Sequence, residues 1–211
     1  MTEQRKKGRP SLATAIAAAV LAIIWFEMLS LGTGGLDDNI LRTIYAGGHP
    51  ALVGVAKGFT FLGTWQFGIA AVVAGIALLV VIGRRRAALA AALVIALGRL
   101  LVEIQKYAIA RLRPADEVHL VPVSTPSFPS GHAANSTIVC LTFAILFFAN
   151  TRWKRPAIAV ALLLAFCIGL SRVMLGVHWP TDVIGGWSFG LLWVVLTLPW
   201  AERLAHDGRM R

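Results

Sequence analysis

Long apolar runs, broken by short basic or Gly- and Pro-rich stretches, set the rhythm of this chain. After a polar, basic segment from Thr2 to Pro10, apolar runs cover Ser11 to about Leu31, about Gly58 to Ile82 and about Ala87 to Ala110. Three more follow, from about His132 to Ala149, Pro156 to Leu170 and Thr181 to Leu198. Each approaches the roughly 20 residues a helix needs to cross a bilayer core. Backbone in lipid must hydrogen-bond internally, so all six are predicted helices. The stretch from Gly32 to about Lys57 is too polar to span, but Ile40, Leu41, Ile44 and Tyr45 share one helical face, which predicts a short interfacial helix. The Pro- and Ser-rich stretch from Arg111 to Phe128 reads as a loop. The expectation is an all-α integral membrane bundle of six transmembrane helices over residues 11–200, with the interfacial helix after the first span and basic tails at 1–10 and 201–211. The first run is longer than a signal-peptide core and lacks an Ala-x-Ala site at its end, so it is expected to remain as an uncleaved span.

Composition supports this reading. Hydrophobic residues make up 57% and charged residues 14% of the 211 positions, with a mean hydropathy of +0.74. A soluble domain carries about 25% charged residues. The net charge of +10 invites a nucleic-acid reading, but the cations fall in short clusters between apolar runs, as membrane topology requires. Cys140 and Cys167 lie inside apolar runs without metal-ligand or disulfide spacing. Six spans put both termini on one side, together with Arg84–Arg86, Arg152, Lys154, Arg155 and Arg203. The positive-inside rule makes that side cytoplasmic. The loops at 111–128 and 172–178 then fall on the opposite, outer face.

Three polar segments flank those loops. Lys106 and Arg113 are seven residues apart, close to two helical turns, so both side chains would share one face and converge on one anion before Pro114 ends the helix. Alone, they could equally be snorkelling cations at a span end, the role expected for Arg111. Ser130-Gly131-His132, after Pro129, opens an apolar run. Ser is a good N-cap, the first N–H groups and helix dipole attract an anion, and His132 is placed to protonate a leaving oxygen. A capped helix with an incidental histidine is the plainer alternative. In Ser171-Arg172 with His178 and Asp182, the carboxylate can fix one imidazole nitrogen and leave the other nucleophilic. A structural His–Asp cap is the alternative there. Cations, amide donors, two imidazoles and an acid in one oily chain point to phosphoryl chemistry.

Lys-x6-Arg-Pro, Pro-Ser-Gly-His and Ser-Arg-x5-His-x3-Asp resemble, in order and without departure, the three signature motifs of the type 2 phosphatidic acid phosphatase family. That family shares a superfamily with vanadium haloperoxidases and bacterial acid phosphatases. The resemblance implies a membrane lipid phosphatase needing no metal or cofactor. It implies that His178 attacks phosphorus to form a phosphohistidine, Asp182 orients it, and His132 protonates the leaving oxygen. Lys106, Arg113, Ser130, Gly131 and Arg172 would hold the phosphoryl oxygens. The implied partners are the bilayer and a phosphorylated lipid such as undecaprenyl pyrophosphate, phosphatidylglycerol phosphate or phosphatidic acid, in a bacterial-type inner membrane. Transfer of the phosphoryl group to a lipid or sugar hydroxyl is the second reading, and a non-enzymatic lipid binder the third. Outside the motifs, Arg99 and Glu103 are expected to form a buried ion pair behind the site, with phosphate binding by Arg99 the alternative. Asp37, Asp38, Asp116 and Glu117 are expected to be solvated loop acids, and His49 and His119 bystanders, with a headgroup contact the alternative for His119. Trp65, Trp179 and Trp200 are expected at the membrane interface.

Overall fold

A computed structural model describes residues 11–115 and 117–206. The basic tail before Ser11, the last residues from Asp207 onward and the loop acid Asp116 lie outside the described residues. The regular elements of the described residues are all helices: α1 (Leu12–Ser30), α2 (Gly35–Ile44), α3 (Pro50–Leu62), α4 (Trp65–Val81), α5 (Arg85–Ile109), α6 (Gly131–Phe147), α7 (Lys154–Met174) and α8 (Pro180–His206). Helices α1, α5, α7 and α8 are each long and apolar enough to cross a membrane. The remaining expected spans take other forms: α3 and α4 make one bent pair, and α6 is a shorter apolar helix of 17 residues.

Local chemistry explains the boundaries. Ser11 Oγ caps α1 by accepting from Thr14 N at 3.1 Å. Pro50 and Pro180, which need no N–H partner, open α3 and α8. The run expected to span from Gly58 instead starts at Pro50 and bends by 47° after Leu62. Gly63 ends α3, and Thr64 restarts the chain as the cap of α4, its hydroxyl 3.4 Å from Phe67 N. A Cβ on Gly63 would lie 2.5 Å from His132 Cδ2 and 2.7 Å from Ile168 Cγ2, so the bend lets bare backbone pass against that imidazole. Helix α5 ends where Ala110 turns left-handed at φ 52°. Arg113 therefore lies beyond the helix, which corrects the expectation that it shares a helical face with Lys106.

The main core is built where α4, α5, α6 and α8 meet, around Leu79, Val94, Ile138, Leu146 and Leu198. Ala87, Ala88, Ala90 and Ala91 line the buried side of α5, and small residues let helix backbones approach closely in lipid. Helix α1 packs along α8 through a half-buried stripe of Ala17, Leu21, Ile24, Trp25 and Met28, while Leu12, Ile16, Val20, Ile23 and Phe26 face outward. A second cluster of Leu41, Ala133, Val173, Trp179 and Val183 ties the short helix α2 to the ends of α6, α7 and α8. Asp37 of α2 is buried rather than solvated, at 3% exposure. Trp65 and Trp200 are exposed as interfacial aromatics should be, but Trp179 is buried and donates Nε1–H to Leu112 O at 3.1 Å. Both cysteines are free thiols.

Candidate active site

The motif segments converge at one end of the bundle, where α5 ends and α6 and α8 begin. Lys106, Arg113, Gly131, His132, Arg172 and His178 line a single cavity of about 730 Å³. Ser130 and Asp182 lie just behind it, each fully buried. The cavity continues as an apolar slot between α4 and α5, bounded by Phe67, Val72, Ile76, Ala92 and Ile95 among others.

His178 sits in the short link between α7 and α8. Its Nδ1 lies 3.3 Å from Asp182 Oδ2, and its Nε2 lies 3.2 Å from Arg113 Nη1. A guanidinium only donates, so Nε2 is the accepting nitrogen and the ring proton belongs on Nδ1, facing the carboxylate. Burial lowers the imidazole's pKa well below its ordinary value, and the positive charges of Arg113, Lys106 and Arg172 lower it further. His178 is therefore a neutral base with its lone pair turned toward cations.

Four groups hold Asp182. Its Oδ2 accepts from Trp179 N at 2.9 Å and from the Ser127 hydroxyl in a short hydrogen bond, besides facing His178. Its Oδ1 pairs with Arg111 Nη1 at 3.1 Å. Arg111 is thus no snorkelling residue. The same guanidinium donates to Thr181 Oγ1 at 3.1 Å and to Met28 O and Leu29 O at 3.0 and 2.8 Å, and it stacks over the Phe128 ring at 4.3 Å. Asp37 completes the support by accepting from Thr181 N at 2.9 Å and from Thr181 Oγ1 at 2.5 Å at the start of α8. Burial raises its pKa, against the lowering effect of those bonds.

The cations are fastened by backbone carbonyls and, for Arg172, by a threonine hydroxyl, which leave donors to spare. Lys106 Nζ donates to Pro126 O at 2.7 Å. Arg113 donates Nε–H to Thr125 O at 2.8 Å and an Nη1 proton to Val177 O at 2.5 Å; burial lowers its pKa, yet an arginine keeps its charge. Arg172 Nη1 donates to Thr60 Oγ1 at 2.6 Å. Ser130 occupies the N-cap position of α6 but makes no capping bond. Ser130 Oγ, His132 Nε2 and Arg172 Nε are all buried without a partner in the protein, a condition rare in folded interiors and informative where it clusters. Gly131 brings the helix N-terminus against Lys106, whose Cε would stand 3.3 Å from any Cβ there. Three cations, a helix N-terminus and unpaired polar atoms surround one imidazole, which suits a tetrahedral oxyanion.

Sequence reasoning missed Arg111, Ser127, Asp37 and Thr60 as supports of this cluster. Arg111 had a signal, since it lies inside the first motif, two residues before Arg113 in the non-helical segment. His49 is exposed and His119 bonds the Pro114 carbonyl at 2.7 Å, both away from the cavity. Arg99 and Glu103 form no ion pair with each other among the described residues. Both line the cavity instead.

Comparison with known proteins gives a concordant picture. A family model described as PAP2 superfamily matches residues 87–205. Phosphatidylglycerophosphatase B of Bacillus subtilis (strain 168) is 39% identical over 116 residues, which cover 53% of this chain and 57% of that protein. The chain thus spans little more than half of that relative. Decaprenylphosphoryl-5-phosphoribose phosphatase of Mycolicibacterium smegmatis is 32% identical over 71% of this chain and 81% of its own. The crystal structure of a transmembrane PAP2-type phosphatidylglycerolphosphate phosphatase from Bacillus subtilis superposes with a TM-score of 0.81 at 30% identity, covering 92% of this chain and 99% of that one.

Proposed function

The chain belongs to the PAP2 superfamily, and on that premise we propose that it is a multi-pass membrane phosphatase that hydrolyses phosphate esters of lipids through a phosphohistidine. The observation that carries this reading is the single cavity that joins the motif residues to an apolar slot, because a lipid ester needs a polar cradle and an oily channel in continuity.

In the first step His178 Nε2 attacks phosphorus while Asp182 receives the Nδ1 proton's hydrogen bond. The N–P bond forms as the ester P–O bond breaks, and His132 gives the leaving oxygen its proton. Water then attacks phosphorus, its proton passes to His132, and the N–P bond breaks to release phosphate. Lys106, Arg113, Arg172 and the N-terminus of α6, with Ser130 and Gly131, stabilise the equatorial oxygens in both steps. Arg113 turns from Nε2 to those oxygens when substrate enters.

We place six spans in the bilayer, counting α3 with α4 as one and α6 as another, with the site on the outer face and both termini cytoplasmic. Support comes from the distribution of charge. Arg84 bonds Phe147 O at 3.2 Å and Lys154 pairs with Glu202 at 2.5 Å at the end of the bundle opposite the site, where Arg85, Arg86, Arg152 and Arg155 also gather. Purified protein in detergent with EDTA should release phosphate from at least one of undecaprenyl pyrophosphate, phosphatidylglycerol phosphate and phosphatidic acid, and His178→Ala should release none. Equal release by the variant refutes the reading.

A further inference from the structure

Helix α5 presents three charged side chains to the cavity in the order Lys106, Glu103, Arg99. They stand at i, i−3 and i−7, one above another on a single face, so Glu103 lies about 4.5 Å and Arg99 about 10 Å below Lys106 along the helix. Lys106 belongs to the phosphate cradle. Glu103 and Arg99 lie in a membrane-spanning segment, where an ionised side chain is costly and marks a function. They are not spent on each other, since no ion pair joins them, and the slot below them is apolar.

Resting on the proposed lipid phosphatase activity, we infer that Glu103 and Arg99 form a subsite for the leaving group, selecting a terminal phosphomonoester joined through a hydroxyl-bearing linker to an internal phosphodiester and then to an apolar tail. The order of charges carries the argument. The terminal phosphate sits at Lys106. One turn down, a carboxylate needs a donor and repels an anion, so it accepts from a linker hydroxyl. A further turn down, a guanidinium suits the two free oxygens of a phosphodiester in a bidentate grip. A prenyl diphosphate does not fit, because its second phosphate, one bridging oxygen from the first, would face Glu103. Phosphatidic acid has neither the linker hydroxyl nor the internal phosphodiester. A glycerol or a pentose can supply the linker, and both share the required chemistry.

The test is a specificity ratio. Rates on phosphatidylglycerol phosphate, a polyprenylphosphoryl pentose 5-phosphate, a prenyl diphosphate and phosphatidic acid are measured in mixed micelles for the wild type, Arg99→Met and Glu103→Gln. With Arg99→Met, kcat/KM for the two phosphodiester lipids relative to phosphatidic acid should fall roughly tenfold or more, the worth of a charge-assisted hydrogen bond. With Glu103→Gln, the ratio of prenyl diphosphate to phosphatidylglycerol phosphate should rise by a similar factor. Whichever of the two phosphodiester lipids is turned over faster identifies the linker. Ratios unchanged in both variants, or losses equal across all four lipids, overturn the inference. Thermal stabilisation of the protein by each lipid is measured alongside. If the wild type hydrolyses none of them, the phosphatase reading falls, and the subsite is judged by binding alone. Stabilisation by phosphatidylglycerol phosphate that is lost in Arg99→Met supports it, and stabilisation equal in both proteins refutes it.

Discussion

Replacing Arg111 with methionine should cripple turnover without touching the cavity wall. Arg111 does not line the cavity, yet its guanidinium is the cation paired with the fully buried Asp182, at 3.1 Å. The side chain is 9% exposed, so solvent screens the pair little. Removing one member of a buried ion pair leaves an uncompensated charge and costs about 3–5 kcal/mol. The bonds to Met28 O and Leu29 O, which tie the end of α1 to the start of α8, go with it. Methionine keeps much of the apolar stem, so the loss is chiefly electrostatic. A carboxylate that shifts by even ~1 Å loosens its grip on His178, and misplacement of that size costs roughly 100-fold. The expectation is therefore a kcat lower by about that factor, a KM close to the wild-type value and a clearly lower melting temperature. Phosphate release at saturating lipid and a thermal melt in the same detergent read both effects. Arg111→Lys serves as the companion, because it keeps the charge but not the fork, and should recover more of the melting temperature than of kcat. A kcat within twofold of wild type together with an unmoved melting temperature in Arg111→Met would refute the reasoning. Should the methionine variant fail to fold, wild-type turnover by the lysine variant would do the same.

Ser127→Ala removes the hydroxyl that donates to Asp182 Oδ2 and should lower kcat about tenfold, the worth of one buried hydrogen bond to a charged group; unchanged kcat would place that hydroxyl outside the mechanism. Asp182→Asn keeps an acceptor for Trp179 N but leaves Arg111 without its countercharge, so it should lower the melting temperature as Arg111→Met does. It should also lose activity by orders of magnitude because Nδ1 of His178 is no longer held by a charge; near-normal turnover would reject the orienting role. Stability should depend on pH through His178, whose pKa is lowered in the fold by burial and neighbouring cations. Above the imidazole's ordinary value of about 6.5 both folded and unfolded chains carry it neutral, whereas below it the unfolded chain binds the extra proton. Stability is thus full above that pH and falls by up to about 1.4 kcal/mol per pH unit as pH drops from there toward the lower folded value. Melting temperatures between pH 8 and 5 check this, and His178→Gln should flatten the slope.

The apolar runs were legible because lipid demands long, internally bonded helices whatever their neighbours do. The bend at Gly63 was not, because the Gly63-Thr64 break is a weak signal inside a mostly apolar run, and what the bend accommodates is an imidazole brought in from α6, whose Cδ2 would stand 2.5 Å from a Cβ there. Arg113 was expected on a helix that Ala110 in fact terminates. It still reaches the cavity, since a long side chain tolerates either backbone path. The supports of Asp182 were misread for a different reason. Arg111 finds its carboxylate 71 residues away, and Asp37 finds Thr181 144 residues away. No local pattern separates such residues from snorkelling cations or loop acids. Arg99 and Glu103 illustrate the reverse error. Their i, i+4 spacing suggested partners, and the cavity between α4 and α5 shows them facing a common space instead.

The central claim is that His178 carries the phosphoryl group, and trapping that group tests it most directly. Purified protein mixed with lipid labelled in the scissile phosphate, and quenched in alkali within the first turnover, should hold label in an acid-labile, alkali-stable bond, with peptide mapping placing it on His178. His178→Ala should take up none, and His132→Ala should take up label more slowly because its leaving group departs unprotonated. Label found at another residue, or label retained by His178→Ala, would contradict the account.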